Sequence, residues 1–414
     1  MKLWVKILIA MGLGVLCGIV MGPLAEYIKP IGTLFLALLN MVIVPLIFTS
    51  MVCGITNIPD KSKLGRVGGK TLLMYFATTL IAIIFGITFS GWLNLGGDVN
   101  FLPGIKTELT TVPSLSEIIL SAIPKNPIKA FAEANILQII VFSIFFGSAI
   151  NIIGTKAAPV VTFMNSVMQV MLRMTSMVMQ FSPYGVFALM AWATGSFGLD
   201  VLLPVCKFLL SYYVACIIFS GIVFSFILKG MANLKPWPFF KGMTEAMATA
   251  ASTCSSSATL PITLECAQDK LGVSKNLSSF VLPLGCSLNM NGSALFQAMS
   301  AIFIAQCYGI TLDWNHYLTL FTTIILATLG TASVPGGGLM MLSIVFASIG
   351  IPLEGLAILA GIDRLRDMGT TILNITGDAV CCVYIAKKEG EINEACYYSQ
   401  GTPELIEVEK VQVS

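Results

Sequence analysis

Five polar residues recur at helical spacing through an apolar stretch near the C-terminus, Gly361 to Ala386 (GIDRLRDMGTTILNITGDAVCCVYIA). Asp363, Asp367, Thr371, Asn374 and Asp378 follow one another by four, four, three and four positions. At 3.6 residues per turn they line one face of a helix. Arg364, Arg366, Thr370 and Thr376 stand among them. Carboxylate, amide and hydroxyl oxygens on one stripe are the groups a hard cation takes as ligands. A soluble amphipathic helix would show a similar pattern, but the rest of the chain is too apolar for that. Ionisable groups at membrane depth face a bundle interior or a wet cavity, where a partner or an ion neutralises them. The stripe reads as a polar site inside a membrane protein.

Other segments must then carry the remaining walls of that site. Met243 to Leu271 is apolar but broken by Thr253-Cys254-Ser255-Ser256-Ser257-Ala258-Thr259 and by Pro261. Each arm is about 12 residues, roughly 18 Å of helix, too short for a hydrocarbon core of about 30 Å. Two short arms around a polar tip predict a re-entrant hairpin entering from the cytoplasm, and irregular backbone at that depth has to be covered by protein or water. The next span, about Leu277 to Gln306, is interrupted at Asn289-Met290-Asn291-Gly292-Ser293, where freed carbonyls can ligate a cation. Tyr317 to Gly350 repeats the hairpin pattern with a glycine-rich middle (Gly330, Thr331, Ser333, Pro335, Gly336, Gly337, Gly338), entering from the outside. The charged helix follows it. Hairpin plus span, then hairpin plus span from the opposite side, is an inverted-repeat layout that places cargo and ions near the midplane.

Composition supports the membrane setting. Of 414 residues, 56% are hydrophobic, 11% are charged and 37 are glycine, as in multispanning proteins. A net charge of +2 gives no sign of a nucleic-acid partner. The 11 cysteines are scattered without a CxxC pair and read as small core residues. With His316 the one histidine, a zinc site or a serine triad has no basis.

From the N-terminus, Lys2 and Lys6 precede a first span to about Ala25, too long for a secretory signal and leading into a second span, Ile31 to Ile58. A basic loop, Asp60 to Lys70, leads to a third span, Thr71 to about Leu93, and a polar stretch runs from Asn94 to Ser114. A broken fourth element ends in a span from near Asn135; span five covers about Ala158 to Thr194, and span six about Val201 to Leu228. Basic residues (Lys229, Lys235, Lys241, Lys387, Lys388) fall on one side, while Asp98, Glu108 and Asp200 fall on the other. The positive-inside rule then puts both termini in the cytoplasm, with the chain multi-pass in the plasma (inner) membrane. The tail from Glu389 to Ser414 reads as short, acidic and disordered.

Four ordered motifs carry a resemblance: SSSATLP (Ser255 to Pro261), PLGCSLNMNGS (Pro283 to Ser293), VPGGG (Val334 to Gly338) and DMGTTILNITGDA (Asp367 to Ala379). With PLIFTSMV (Pro45 to Val52) and ILQIIVFSIFFG, the chain resembles, over essentially its whole length, the glutamate transporter homologues. These are the dicarboxylate/amino acid:cation symporters of the sodium:dicarboxylate symporter family. The resemblance implies an all-α membrane protein of eight transmembrane helices and two re-entrant hairpins, a homotrimer working by an elevator mechanism. Its scaffold would comprise residues 1–70 and 94–194. Its transport domain would comprise 71–93 and 195–388, with 389–414 a cytoplasmic tail.

The resemblance also implies roles. Asp367 would hold the substrate's amino group, Thr371 and Asn374 its α-carboxylate, and Thr370 would face its side chain. The tips Ser255, Ser256, Ser257 and Val334, Pro335, Gly336 would close around it. One sodium would use Gly285, Asn289, Asn374 and Asp378. A second would use Ser287, Thr328, Leu329 and Thr331. A third would use Thr78, Thr79, Asn289 and Asn291, with Tyr75 beside them. No organic cofactor is implied; sodium is the coupling ion.

Three positions depart from the family pattern. Thr370 stands where acidic-substrate members carry an arginine, Asn291 replaces an aspartate, and Cys254 replaces an arginine found in some members. An unpaired buried carboxylate is heavily penalised, and threonine cannot supply the fork that arginine does. The expected cargo is therefore a small neutral amino acid (serine, threonine, alanine or cysteine class). The alternative is an acidic amino acid or C4-dicarboxylate, coupled to sodium or protons, with Arg366 or Arg364 reaching in. Against that, Arg366 reads first as the neutralising partner of Asp363 or Asp367. A channel would need a continuous polar pore or filter loop, and an enzyme would need a base beside Ser255 to Ser257; neither is seen.

Overall fold

A computed structural model of the chain describes residues 3–56, 67–97, 123–133, 136–197, 202–331, 333, 335–353 and 355–399. Val334, Asp98, Glu108, Asp200, the basic loop up to residue 66 and the tail from residue 400 lie outside the described residues. The described chain is helical: α1 (Leu3–Met21), α2 (Lys29–Thr56), α3 (Gly69–Leu93), α4 (Pro127–Ala132), α5 (Ile136–Ile153), α6 (Ala158–Gln180), α7 (Ser182–Phe197) and α8 (Leu202–Phe219). Then come α9 (Pro236–Gly242), α10 (Thr244–Thr253), α11 (Ser256–Glu265), α12 (Lys275–Leu288), α13 (Asn291–Cys307), α14 (Trp314–Gly330), α15 (Gly337–Ser348), α16 (Gly355–Glu389) and α17 (Glu394–Ser399). Among the described residues the only β pairing is one isolated bridge, Val273 with Ile392. Five helical segments there are long and apolar enough to cross a membrane: Ile9–Tyr27, Gly69–Leu93, Val141–Val178, Leu203–Met231 and Leu359–Glu389.

The chain divides into two compact units, one of Met1–Asn57, Ile83–Tyr213 and Ser293–Asp367, the other of Ile58–Ala82, Val214–Gly292 and Met368–Ser414. In the first unit α1 packs on α7 through Gly14 and Gly18. A Cβ on either glycine would lie 2.5 Å from a backbone oxygen, of Phe187 and Ala191 respectively, so two small residues one turn apart permit the close crossing. Helix α2 packs on α5, α6 and α7; Val52, Cys53, Ile150, Ala157 and Met164 form a core there. Span five, expected as one element, is two helices parted at Phe181: Pro183 has no N–H to continue the hydrogen-bond ladder of the first helix and sits instead in the opening turn of the second. Phe303 of α13 stacks on Phe208 of α8 at 4.8 Å, fixing that helix in the unit.

The hairpin α14–α15 closes this unit. Its entry is set by a reciprocal cap in which Asp313 Oδ1 accepts from the His316 N–H at 2.9 Å and the Asp313 N–H meets His316 Nδ1 at 3.3 Å. Its return helix begins differently. Gly336 precedes α15 with φ +81° and no side-chain cap, a conformation open to glycine at little cost.

In the second unit the hairpin α10–α11 caps itself. Cys254 ends α10 with φ +52°, and the Ser255 hydroxyl accepts the Ala258 N–H at 3.2 Å. The Thr253 and Thr259 hydroxyls meet at 3.1 Å, and Thr259 donates to the Ser255 carbonyl at 2.8 Å. The break predicted in span seven lies between α12 and α13, at Asn289 and Met290. The expectation of a tail disordered from Glu389 is corrected. Ser274 N–H donates to the Glu391 carbonyl at 3.0 Å and Asn393 N–H to the Gly272 carbonyl at 2.8 Å. Tyr397 of α17 is buried with its hydroxyl on the Lys235 carbonyl at 2.8 Å. Burying that ring gives six residues of tail a reason to fold.

Candidate functional site

In the second unit α3, the α12–α13 break and the later part of α16 supply one polar cluster. The Asn289 amide donates to Asp378 Oδ1 at 2.9 Å, and its own oxygen meets the Thr78 hydroxyl at 3.2 Å. Asn374 Oδ1 accepts the Gly292 N–H at 2.7 Å, while its Nδ2 lies 3.4 Å from the Met290 sulfur. Thr79 Oγ1 meets Asn291 Oδ1 at 3.2 Å, and Asn291 Nδ2 is buried with no hydrogen-bond partner among the described residues. All of these side chains are buried. Glycine is needed at two points. A Cβ on Gly285 would fall 2.6 Å from the Tyr75 hydroxyl and 2.7 Å from Asp378 Oδ1, and one on Gly292 would collide with the Thr370 carbonyl. The result is one carboxylate held by a neutral amide donor, with carbonyl, amide and hydroxyl oxygens close by. Such a set suits a hard cation.

In the first unit the opening turns of α16 carry an ion-pair cluster. Arg366 is wholly buried; it pairs with Asp363, and its Nη1 donates to Asp367 Oδ1 at 3.0 Å. The guanidinium lies over the Phe296 ring, 3.8 Å from its centroid. The other Asp367 oxygen accepts the Gly336 N–H of the hairpin tip at 3.0 Å. The neutralising role expected of Arg366 is what the geometry shows, towards both carboxylates rather than one.

Residues 3–388 match the family described as "Sodium:dicarboxylate symporter family". The chain belongs to the sodium:dicarboxylate symporter family. It is a multi-pass membrane transporter of the symport type and not an enzyme. It is 34% identical over 404 residues to the proton/glutamate-aspartate symporter of Escherichia coli (strain K12), covering 93% of this chain and 92% of that one. It is 33% identical over 398 residues to the proton/sodium-glutamate symport protein of Geobacillus stearothermophilus, covering 92% and 94%. It is 30% identical over 402 residues to the C4-dicarboxylate transport protein of Bacillus subtilis (strain 168), covering 95% of each. These names couple transport to sodium or protons and call for no organic cofactor.

Within this symporter the sequence-predicted residues fall as follows. Tyr75, Thr78, Thr79, Gly285, Asn289, Asn291, Asn374 and Asp378 come together in the second unit, which also holds Ser255, Ser256, Ser257, Ser287, Thr370 and Thr371. Ser257 lies 3.6 Å from the Cys286 sulfur. Thr328, Leu329, Thr331, Pro335, Gly336 and Asp367 belong to the first unit. There the Thr331 hydroxyl donates to the Ala327 carbonyl at 2.8 Å. Sequence reasoning missed Phe296, Gly338 and Met290. Phe296 and Met290 flank flagged polar residues, yet nothing in their type signals a contact with a charge or an amide. Gly338 reads from sequence as part of a tip, and nothing in its type signals the arginine edge beside it.

Proposed function

We propose that this symporter carries a small neutral amino acid of the serine, threonine, alanine or cysteine class, driven by sodium. The observation that carries the reading is at Arg366. This buried guanidinium is already matched by Asp363 and Asp367, and position 370 holds a buried threonine. The three charges leave one net negative, which suits an ammonium group and opposes an additional carboxylate. Asp367 would meet the amino group, Thr371 and Asn374 the α-carboxylate, and Thr370 the side chain, with the tips at Ser255 to Ser257 and Val334 to Gly336 over them. Sodium would bind at Asp378 with Asn289, Asn374 and the Gly285 carbonyl. A second ion would use Ser287, Thr328, Leu329 and Thr331. The third set, Thr78, Thr79, Asn289 and Asn291 beside Tyr75, lacks a charge at Asn291 and is weak or empty.

Eight spans with two re-entrant hairpins, a homotrimer, elevator movement and cytoplasmic termini complete the proposal on the strength of the motif resemblance. The scaffold and transport domains would keep the boundaries given above. The relatives' names favour a second reading, an acidic amino acid or C4-dicarboxylate coupled to sodium or protons. Competition uptake in proteoliposomes, with and without a sodium gradient, separates the two. Excess serine or alanine should block uptake while aspartate and succinate do little near neutral pH. Best inhibition by aspartate, with uptake lost in Arg366→Ala, would establish the acidic reading.

A further inference from the structure

We infer that Arg366 is a positioning residue, a built-in counter-ion that fixes the Asp367 carboxylate and, through it, the tip of the second hairpin. The contacts form a chain. Asp363 and Asp367 each take one arm of the guanidinium, and Asp367 hands its second oxygen to the Gly336 N–H at 3.0 Å. The guanidinium is held on one face and at its edge. Phe296 lies below it at 3.8 Å, and a Cβ on Gly338 would come within 3.1 Å of Nη1 and 3.7 Å of the ring. The tip thus rests on the edge of the arginine, and a side chain at 338 would crowd that seat.

Because α15 starts without a side-chain cap, the Asp367 carboxylate does the capping from another helix. An anion there suits the positive end of the helix dipole. A planar fork can bridge two carboxylates at once, whereas an ammonium cannot hold the same geometry. The tip would therefore loosen when Arg366 is lost even if net charge is preserved. A merely neutralising arginine would not behave this way.

The double variant Asp363→Asn with Arg366→Gln tests this, because it keeps one net negative charge while removing the fork. Hydrogen exchange read by mass spectrometry on the purified full-length protein, without cargo, should show Gly336 to Leu339 exchanging about tenfold faster or more, as expected for losing a charge-assisted hydrogen bond. The segment 275–288 should be unchanged, and Arg366→Lys should fall between wild type and the double variant. Wild-type exchange at the tip in the double variant would overturn the inference. So would faster exchange spread equally over 275–288, since that is general loosening. Serine uptake adds a second readout, which rests on the proposed cargo: KM should rise severalfold while the sodium requirement holds. If the wild type does not take up serine, the cargo reading fails and the exchange result still decides the role of Arg366.

Discussion

Around Asp378 a single carboxylate meets an asparagine amide, with a tyrosine hydroxyl and a second asparagine nearby; around Arg366 two carboxylates meet one guanidinium stacked on an aromatic ring. Both regions are buried and both draw on α16. In the second, one of the two carboxylate charges is cancelled by a guanidinium of the same helix, so what it holds is geometry. In the first, only dipoles face the carboxylate among the described residues. Neutral donors rarely compensate a fully desolvated charge, so under the proposed function that region would take its counter-charge from solution. On the proposed reading, the difference would separate a coupling site from a positioning site on one helix.

The largest break in this contrast is Asp378→Asn, which leaves the first region without its charge. An amide ligand in place of a carboxylate at a desolvated cation site costs on the order of several kcal/mol. We expect the half-saturating sodium concentration for serine uptake to rise by about 100-fold or more, or uptake to vanish. Sodium titration in proteoliposomes checks this, and an unchanged requirement would remove Asp378 from the coupling site.

Thr370→Arg comes next, because it gives the first region's helix a fixed cation like that of the second. Thr370 is buried, with its carbonyl against Gly292. A new guanidinium there needs an anionic partner, and a cargo carboxylate can provide one. Preference should move from serine towards aspartate by roughly tenfold or more, measured as the ratio of inhibition constants. A variant that still prefers serine and still transports would detach position 370 from selectivity.

Asn291→Asp should have a smaller effect in the opposite direction. Asn291 Nδ2 is a buried donor without a partner among the described residues, and such a group is itself unfavourable. A carboxylate would remove that donor and offer a second charge beside Thr79. Sodium affinity should tighten severalfold, and reversal potentials should show more sodium per cargo than in the wild type. Three tightly coupled sodium ions in the wild type would already contradict the weak third site.

The sequence made the interruptions legible because each breaks a rule of helical spans. Asn289 to Ser293 and Gly336 to Gly338 are polar or flexible where apolar helix formers belong, and the breaks lie there. The stripe from Asp363 to Asp378 was legible from spacing alone, and every member is buried. Pairing was only half legible. That Arg366 would neutralise a neighbour followed from proximity on one helix, but Phe296 and Gly338 come from other elements, and apolar residues do not announce a cation above them. The split at Phe181 was signalled by Pro183, yet an unbroken apolar run on both sides masked it. The folded start of the tail was missed because its charges suggested solvation, while the burial of Tyr397 and the backbone hydrogen bonds to Gly272 and Ser274 together dock it.

The same pairing in solvent should matter least, and Asp313 supplies the case. Its carboxylate lies in the connection before α14, with its pKa held below the ordinary aspartate value, first by the His316 backbone N–H and then by the His316 ring. A depressed folded-state pKa stabilises the fold above the unfolded pKa of about 4, and that contribution is lost as pH falls through the lowered folded value. The side chain is largely exposed, so screening weakens the pair. Asp313→Ala should therefore lower the melting temperature at pH 7 by no more than about 2 °C. The gap should close as pH falls below the lowered folded pKa, where the wild-type carboxylate is protonated as well. Melting curves of the two proteins across that range test the point. A gap that persists at low pH would mean that the Asp313 side chain acts through packing, and the contrast between buried and exposed charge would lose its mildest member.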